Sequence, residues 1–210
     1  MSTKQPTQTR QAELVAAALA LAAERSPAEV TTGALAQAVG ITQGAVFRHF
    51  ESKEAIWLAV IDFAHQDLLA RLHAAAAAQV QPLAALRAVF MAHVDFVVEQ
   101  PGVPRVIFQE LQHPEDTPLK ARVRGLMQAY RTLLTGLLQR AQAARLLAPG
   151  TDLQAAAVLF IGSVQGLVMQ SLLSGQVGAM RQMAPAVFDL FQQAIAAPTA
   201  KARRTPETPA

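Results

Sequence analysis

Thr42, Gln43, Gly44 and Ala45, followed closely by Phe47, Arg48, His49 and Lys53, are the residues whose types and spacing most suggest chemistry. A glutamine amide carries a donor beside an acceptor, the pair that matches the edge of adenine in the major groove of DNA. Gly44 and Ala45 are small enough to let a backbone approach the bases and to touch a thymine methyl. Arg48, His49 and Lys53 can serve phosphates or base edges. Catalytic chemistry has no comparable group. The five histidines (His49, His65, His73, His93, His113) form no i, i+4 pair and no cluster with carboxylates at metal-ligand spacing. There is no cysteine, hence no thiolate site or disulfide. Ser163 sits among small residues without visible His and Asp partners, and no glycine-rich phosphate loop occurs. The expectation is a non-enzyme with no metal and no cofactor.

Reading a groove requires that these side chains ride on a short helix braced by another, and the flanking residues meet that need. Thr31 or Thr32 caps a short helix through Val39, Gly40 ends it by adopting a positive φ, and Thr42 caps a second helix ending around His49. Ala36 is small where the two come closest, and Leu35, Val39, Ile41 and Val46 make the small core between them. Upstream, Leu14, Ala17, Ala18, Leu21 and Ala22 recur at helical spacing and define a first helix ending near Arg25, stopped by Ser26 and Pro27. Downstream, Ser52 caps a long fourth helix with Ile56, Val60, Phe63 and Leu68 on one side, running toward Pro82.

Apolar residues make up 52% of the 210, with Ala and Leu prominent and aromatics at only 5%, which favours helices throughout. Five more helices are expected, near Leu83 to Gln100, Val103 to Gln112, Thr117 to Leu147, Asp152 to Ser174 and Met180 to Ala196. The fold class is therefore all-α, with about nine helices. The sequence pI near 9.8 suggests an acidic partner, yet residues 1–54 hold five basic and five acidic side chains, so charge alone does not point to DNA. The excess lies in Arg105 to Arg145 and in Lys201, Arg203 and Arg204. Leu153 to Leu173 runs 21 residues without a charge, about the length of a bilayer span. Gln154, Ser163, Gln165, Gln170 and Ser171 lie inside it and no basic cluster orients it, so a helix buried in a core and a subunit interface is expected instead, with no membrane. The first thirty residues lack the pattern of a secretory signal, and a cytoplasmic location is expected.

The segment TTGALAQAVGITQGAVFRHFESKEAI, with the helix before it, the aromatic-x-His-Phe end and the Ser-Lys-Glu that opens the fourth helix, resembles the TetR/AcrR family of bacterial repressors. The likeness runs from Gln8 to about Asp67. It implies a helix-turn-helix DNA-binding domain at 1–54, a helical ligand-binding and dimerisation domain at 55–197, and a disordered tail at 198–210. It also implies DNA contacts from Thr31 or Thr32, from Thr42, Gln43, Gly44 and Ala45, and from His49 and Lys53 against phosphates. Phe47 departs from the pattern, because the family usually carries tyrosine there; the ring is kept and a possible phosphate hydrogen bond is lost. Phe50 is assigned to the core beneath the helices, with Ile56 and Trp57.

Beyond the head the resemblance is one of helical layout. It implies a homodimer on a double-stranded DNA operator and a small effector, apolar or aromatic by the character of the body. Gly162 and Gly166 would let two backbones approach, with Val158, Ile161, Gln165, Val168 and Leu172 on one face and Val187, Leu190, Phe191 and Ile195 completing the interface. Phe90, Met91, Val94, Phe108, Leu111, Met127, Tyr130, Leu134 and Met169 are candidates for a pocket lining. His93, Arg105, Gln109 and Glu110 are its candidate polar anchors. Two other readings stay open: the same head without a small-molecule effector, and a helical binding protein for apolar ligands with a vestigial head.

Overall fold

A computed structural model describes residues 7–197. The expectations for the residues before Thr7 and for the tail from Pro198 lie outside that range. Within it the chain is all-α: α1 (Thr7–Glu24), α2 (Thr32–Ala38), α3 (Gln43–Val46), α4 (Lys53–Ala77), α5 (Pro82–Glu99), α6 (Gly102–Glu110), α7 (Pro118–Ala143), α8 (Leu153–Ser174) and α9 (Ala179–Ile195). Pro27–Glu29 adds one 3₁₀ turn between α1 and α2, where Ser26 and Pro27 predict only a helix stop.

Caps define the small helices. Thr31 and Thr42 accept the backbone N–H of Ala34 and Ala45, at 3.1 and 3.3 Å, and so open α2 and α3. Gly40, at φ +67°, ends α2 while Ile41 N–H bonds back to the carbonyl of Ala36 at 2.9 Å. Leu35 and Val46 are fully buried between the two helices, worth about 1.5–3 kcal/mol each. Leu14, Ala18 and Ala22 of α1 cover them from behind, and Phe50, Ile56 and Trp57 close the core. Two polar ties fix α1 to the pair. Arg10 donates to the carbonyl of Val39 at 3.2 Å while pairing with Glu13, and Gln11 donates to the carbonyl of His49 at 2.8 Å.

From Ser52, which caps it, α4 runs out of this head to pack on α5 and α7. Ile56, Val60 and Leu68 are buried as their spacing requires, whereas Phe63 is left exposed beside α1. The body centres on an edge-to-face cluster of Phe90, Phe160, Phe188 and Phe191, with Tyr130 against Phe160. Ion pairs stitch its exterior: Arg71 to Asp67 and Glu99, Arg181 to Asp95, and Arg122 to Asp62. Among the described residues α8 is the one helix long and apolar enough to cross a membrane. One side of it, with Phe160, Val164 and Val168, is buried against α5, α7 and α9.

In the body, the end of α7 departs from its expected place. Helix α7 stops at Ala143, four residues before Leu147, because Arg145 takes φ +57° and Leu146 N–H bonds to the carbonyl of Ala141 at 3.0 Å. This is the closure that Gly40 makes after α2, carried out here by a residue for which the conformation costs about 1–2 kcal/mol. Leu147 then pairs with Ala196 in an isolated bridge that ties the α7–α8 turn to the end of α9.

Candidate nucleic-acid interface and effector cavity

After its single α-turn, the segment that follows Gly40 continues with tighter i to i+3 bonds: Arg48 N–H to the Ala45 carbonyl and His49 N–H to that of Val46. The regular helix is thus shorter than expected, but the segment still runs to His49. Thr42, Gln43, Gly44, Phe47 and Arg48 are exposed along it, Ala45 and His49 are half-buried, and Val46 is inside. Phe47 leaves 49% of its surface accessible, a large apolar ring on the outside of a small head.

The polar groups there are oriented by one another. Gln43 Nε2 donates to Thr32 Oγ1 at 2.8 Å, which links the two helices and holds the amide in place. The oxygens of Thr31, Thr32 and Thr42 each accept a bond, so each hydroxyl keeps its O–H to donate outward. Lys53 Nζ sits 3.1 Å from the carbonyl of Ala28, which fixes its stem beside the head while two donors remain. His49 Nδ1 is buried and has no hydrogen-bond partner among the described residues. Enclosing an unpaired N–H there would cost more than enclosing an unpaired lone pair, because orphaned buried N–H groups are the rarer and costlier case.

In the body a cavity of about 320 Å³ lies between α4, α5, α6, α7 and α8. Of the residues expected to line it, His93, Phe108, Leu111 and Met127 do. Tyr130 stands one layer back, its hydroxyl 3.0 Å from His93 Nδ1. Enclosure by apolar walls pushes the His93 pKa down to about 4, so the ring is neutral at neutral pH, and raises that of Tyr130.

Other expected residues fall elsewhere. Phe90 is core, locked in the aromatic cluster, and Val94 and Leu134 are buried beside it rather than on the cavity wall. Met91 is half-buried off the wall, and Met169 is 45% exposed on the far side of α8. Gln109 faces the head: its Oε1 accepts from Ala28 N–H at 3.0 Å and from the Ser26 hydroxyl at 3.3 Å. Glu110 is taken by the Thr117 hydroxyl, and Arg105 does not reach the wall. The wall that the sequence reading missed comes from Phe96, Val103, Pro104, Ile107 and Val164, and from Lys120, Arg124 and Arg131. A signal for the last three was present, since 120, 124, 127 and 131 are spaced as one helical stripe.

Helix α6 is both cavity wall and head contact. Gly102, its first residue, lies so close to α1 that a Cβ would stand 2.3 Å from the Leu19 carbonyl oxygen. Val103, Pro104, Ile107 and Phe108 of the same helix face the cavity.

A third feature is the outer face of α8 and α9. Val158, Leu159, Met169, Leu173, Met183 and Leu190 are exposed there, and a Cβ built at Gly162 or Gly166 would meet nothing within 4 Å. Of the residues expected at a subunit interface, Val158, Gly162, Gln165 and Gly166 are exposed, and Leu172 and Val187 are half-buried. Phe191, Ile161, Val168 and Ile195 are buried within the subunit, Ile161 and Val168 as cavity wall and Phe191 in the aromatic cluster. Among the described residues no group of three His, Asp or Glu side chains is placed to hold a metal ion.

Comparison with known proteins agrees with this architecture. Residues 14–60 match the family of bacterial regulatory proteins of the tetR type, and residues 82–187 match the tetracyclin repressor-like C-terminal domain. Among curated relatives, the nucleoid occlusion factor SlmA of Marinomonas sp. (strain MWYL1) is 26% identical over 152 residues, 72% of this chain and 77% of its own. Other SlmA proteins match over less, with 54% of the relative covered for Actinobacillus pleuropneumoniae serotype 5b. Among solved structures, the regulator FadR from Bacillus subtilis in complex with stearoyl-CoA superposes with a TM-score of 0.75 at 17% identity, covering 86% of this chain and 96% of its own. The ketosteroid regulator KstR2 of Mycobacterium tuberculosis gives 0.76 at 19%, covering 94% and 98%. These two are likenesses of fold. With both matched regions adjoining the helix-turn-helix and cavity geometry described above, the chain belongs to the tetR family of bacterial DNA-binding regulators.

Proposed function

We propose that the protein is a dimeric, ligand-responsive repressor without catalytic activity, acting in the cytoplasm on a double-stranded DNA operator. Thr42, Gln43, Gly44 and Ala45 read bases; Thr31, Thr32, Arg48, His49 and Lys53 hold phosphates, and Phe47 packs against the backbone sugars. The observation that carries the ligand response is the double role of α6, one side on the cavity and the other on α1 and the 3₁₀ turn. An apolar or aromatic effector that favours a displaced α6 shifts the population of body conformations and with it the spacing of the two heads. The boundaries drawn from the sequence, a head to residue 54 and a body from 55, put the joint at the start of α4.

Selection of bound sequences from a random duplex pool tests the DNA half. Two related half-sites about one helical turn apart are expected; a pool that enriches nothing sinks the repressor reading. A second reading, the same head organising DNA without a small effector, is favoured by the SlmA relatives, which are nucleoid occlusion factors. Release of the selected DNA by a compound that fills the cavity separates the two, since only the first reading requires it.

A further inference from the structure

The cavity has a charge pattern that narrows what can occupy it. On α7, Lys120, Arg124, Met127 and Arg131 are spaced as one stripe and all line the cavity, so three cations border a space whose other walls are Phe96, Ile107, Val164 and their neighbours. No Asp or Glu lines it. The cations are not equally occupied. Arg124 is held by Asp116 through two bonds of 2.6 and 3.1 Å, and Lys120 donates to the backbone carbonyls of His113 and Glu115. Arg131 reaches only Gln128 Oε1, at 3.5 Å, and has no carboxylate within ion-pair distance among the described residues. The deeper wall presents His93, whose Nδ1 is satisfied by Tyr130.

We propose that this cavity selects an amphiphile with an anionic head: an apolar chain lies among Phe96, Ile107 and Val164, and a carboxylate meets Arg131 at the cavity rim. The proposal rests on the effector reading above and narrows it. A neutral apolar compound would gain nothing from Arg131, a cationic one would be repelled by it, and a sugar would find only His93 and Gln165 as neutral polar side chains among mostly apolar walls.

The test is calorimetric titration of the intact protein, free of DNA, with decanoate, decanol and decyltrimethylammonium, probes that share a chain and differ in head charge. Decanoate is expected to bind about tenfold more tightly than decanol, with the ammonium weakest. Arg131 lies on the exposed side of α7, so Arg131→Gln should leave the melting temperature unchanged, remove most of the decanoate preference and leave decanol binding as it was. Arg131→Lys should restore part of the preference. Equal binding of decanoate and decanol, absence of binding by all three, or an equal loss for both in Arg131→Gln would overturn the proposal. Operator release is measured separately. Selective decanoate binding that leaves DNA bound would overturn the effector reading and leave the anion selectivity standing.

Discussion

On the proposed reading, Gln43 and Lys53 carry different kinds of information within one head. Gln43 is held by Thr32 in a fixed attitude at the start of the exposed segment, as base recognition requires, whereas Lys53 is anchored by its bond to the Ala28 carbonyl and offers a point charge. Lys53→Ala should therefore weaken binding on all sequences alike and reduce the slope of log K against log salt by about one unit. Gln43→Ala should lose about 1–3 kcal/mol on the preferred site and little on random DNA. Equal losses on both for Gln43→Ala would show that it does not read bases. His93 supplies a prediction of another kind. Its pKa, pushed down to about 4 by burial from an ordinary value of 6.5, means that the folded state binds fewer protons than the unfolded one between those values. The contribution of His93 to stability is therefore full above pH 6.5 and is lost as pH falls toward 4. The melting temperature of the native protein should drop more between pH 7.5 and pH 5 than that of His93→Gln, which titrates nothing there; parallel curves would place His93 in contact with more water than its setting implies.

At the scale of elements, caps and apolar spacing made most helices legible, because Thr31, Thr42, Ser52 and Asp152 use local chemistry that is the same in any fold. What could not be read was set by distant contacts. Arg145 ends α7 in a conformation for which nothing in its side chain argues, and the tie of Leu147 to Ala196 spans the length of two helices. Phe90 and Phe108 are alike in sequence, yet one fills the core and the other a cavity wall, a difference decided by which face of each helix meets which neighbour. Gln109, a candidate polar anchor of the cavity by its sequence, turns instead to the head because the 3₁₀ turn brings Ala28 N–H within 3.0 Å. Gly102 reads as mere punctuation after Pro101 and is instead a point where body and head backbones come too close for a Cβ. Gly102→Ala should force α6 away from Leu19, costing about 1–3 kcal/mol of stability. It should also change operator affinity in the absence of any ligand. A variant with native stability and native affinity would show that α6 and α1 are not coupled there.

For the whole molecule, the question is what covers the outer face of α8 and α9. Leu173 and Leu190 leave 75% and 67% of their surfaces accessible, and Val158 leaves 63%. Apolar side chains gathered in this way mark an interaction surface rather than an ordinary exterior. The glycines between them remove the Cβ atoms that would hold a second helix off, so a second copy related by two-fold symmetry would bring α8 against α8 closely. Such pairing turns two weak half-site contacts into one strong one, since the second head then binds at the effective concentration set by the first. It would also let a head with balanced charge hold DNA. Leu190→Glu places a charge on this face without touching the core, because Leu190 packs outward while Phe188 and Phe191 on either side hold α9 in place. The variant should sediment as a monomer with an unchanged melting profile when extrapolated to low protein concentration. Its affinity for a two-half-site operator should fall at least about a hundredfold, and its affinity for a single half-site hardly at all. Retention of both the dimer and full operator affinity would move the interface off this face, and the heads would then have to be paired by some other part of the body.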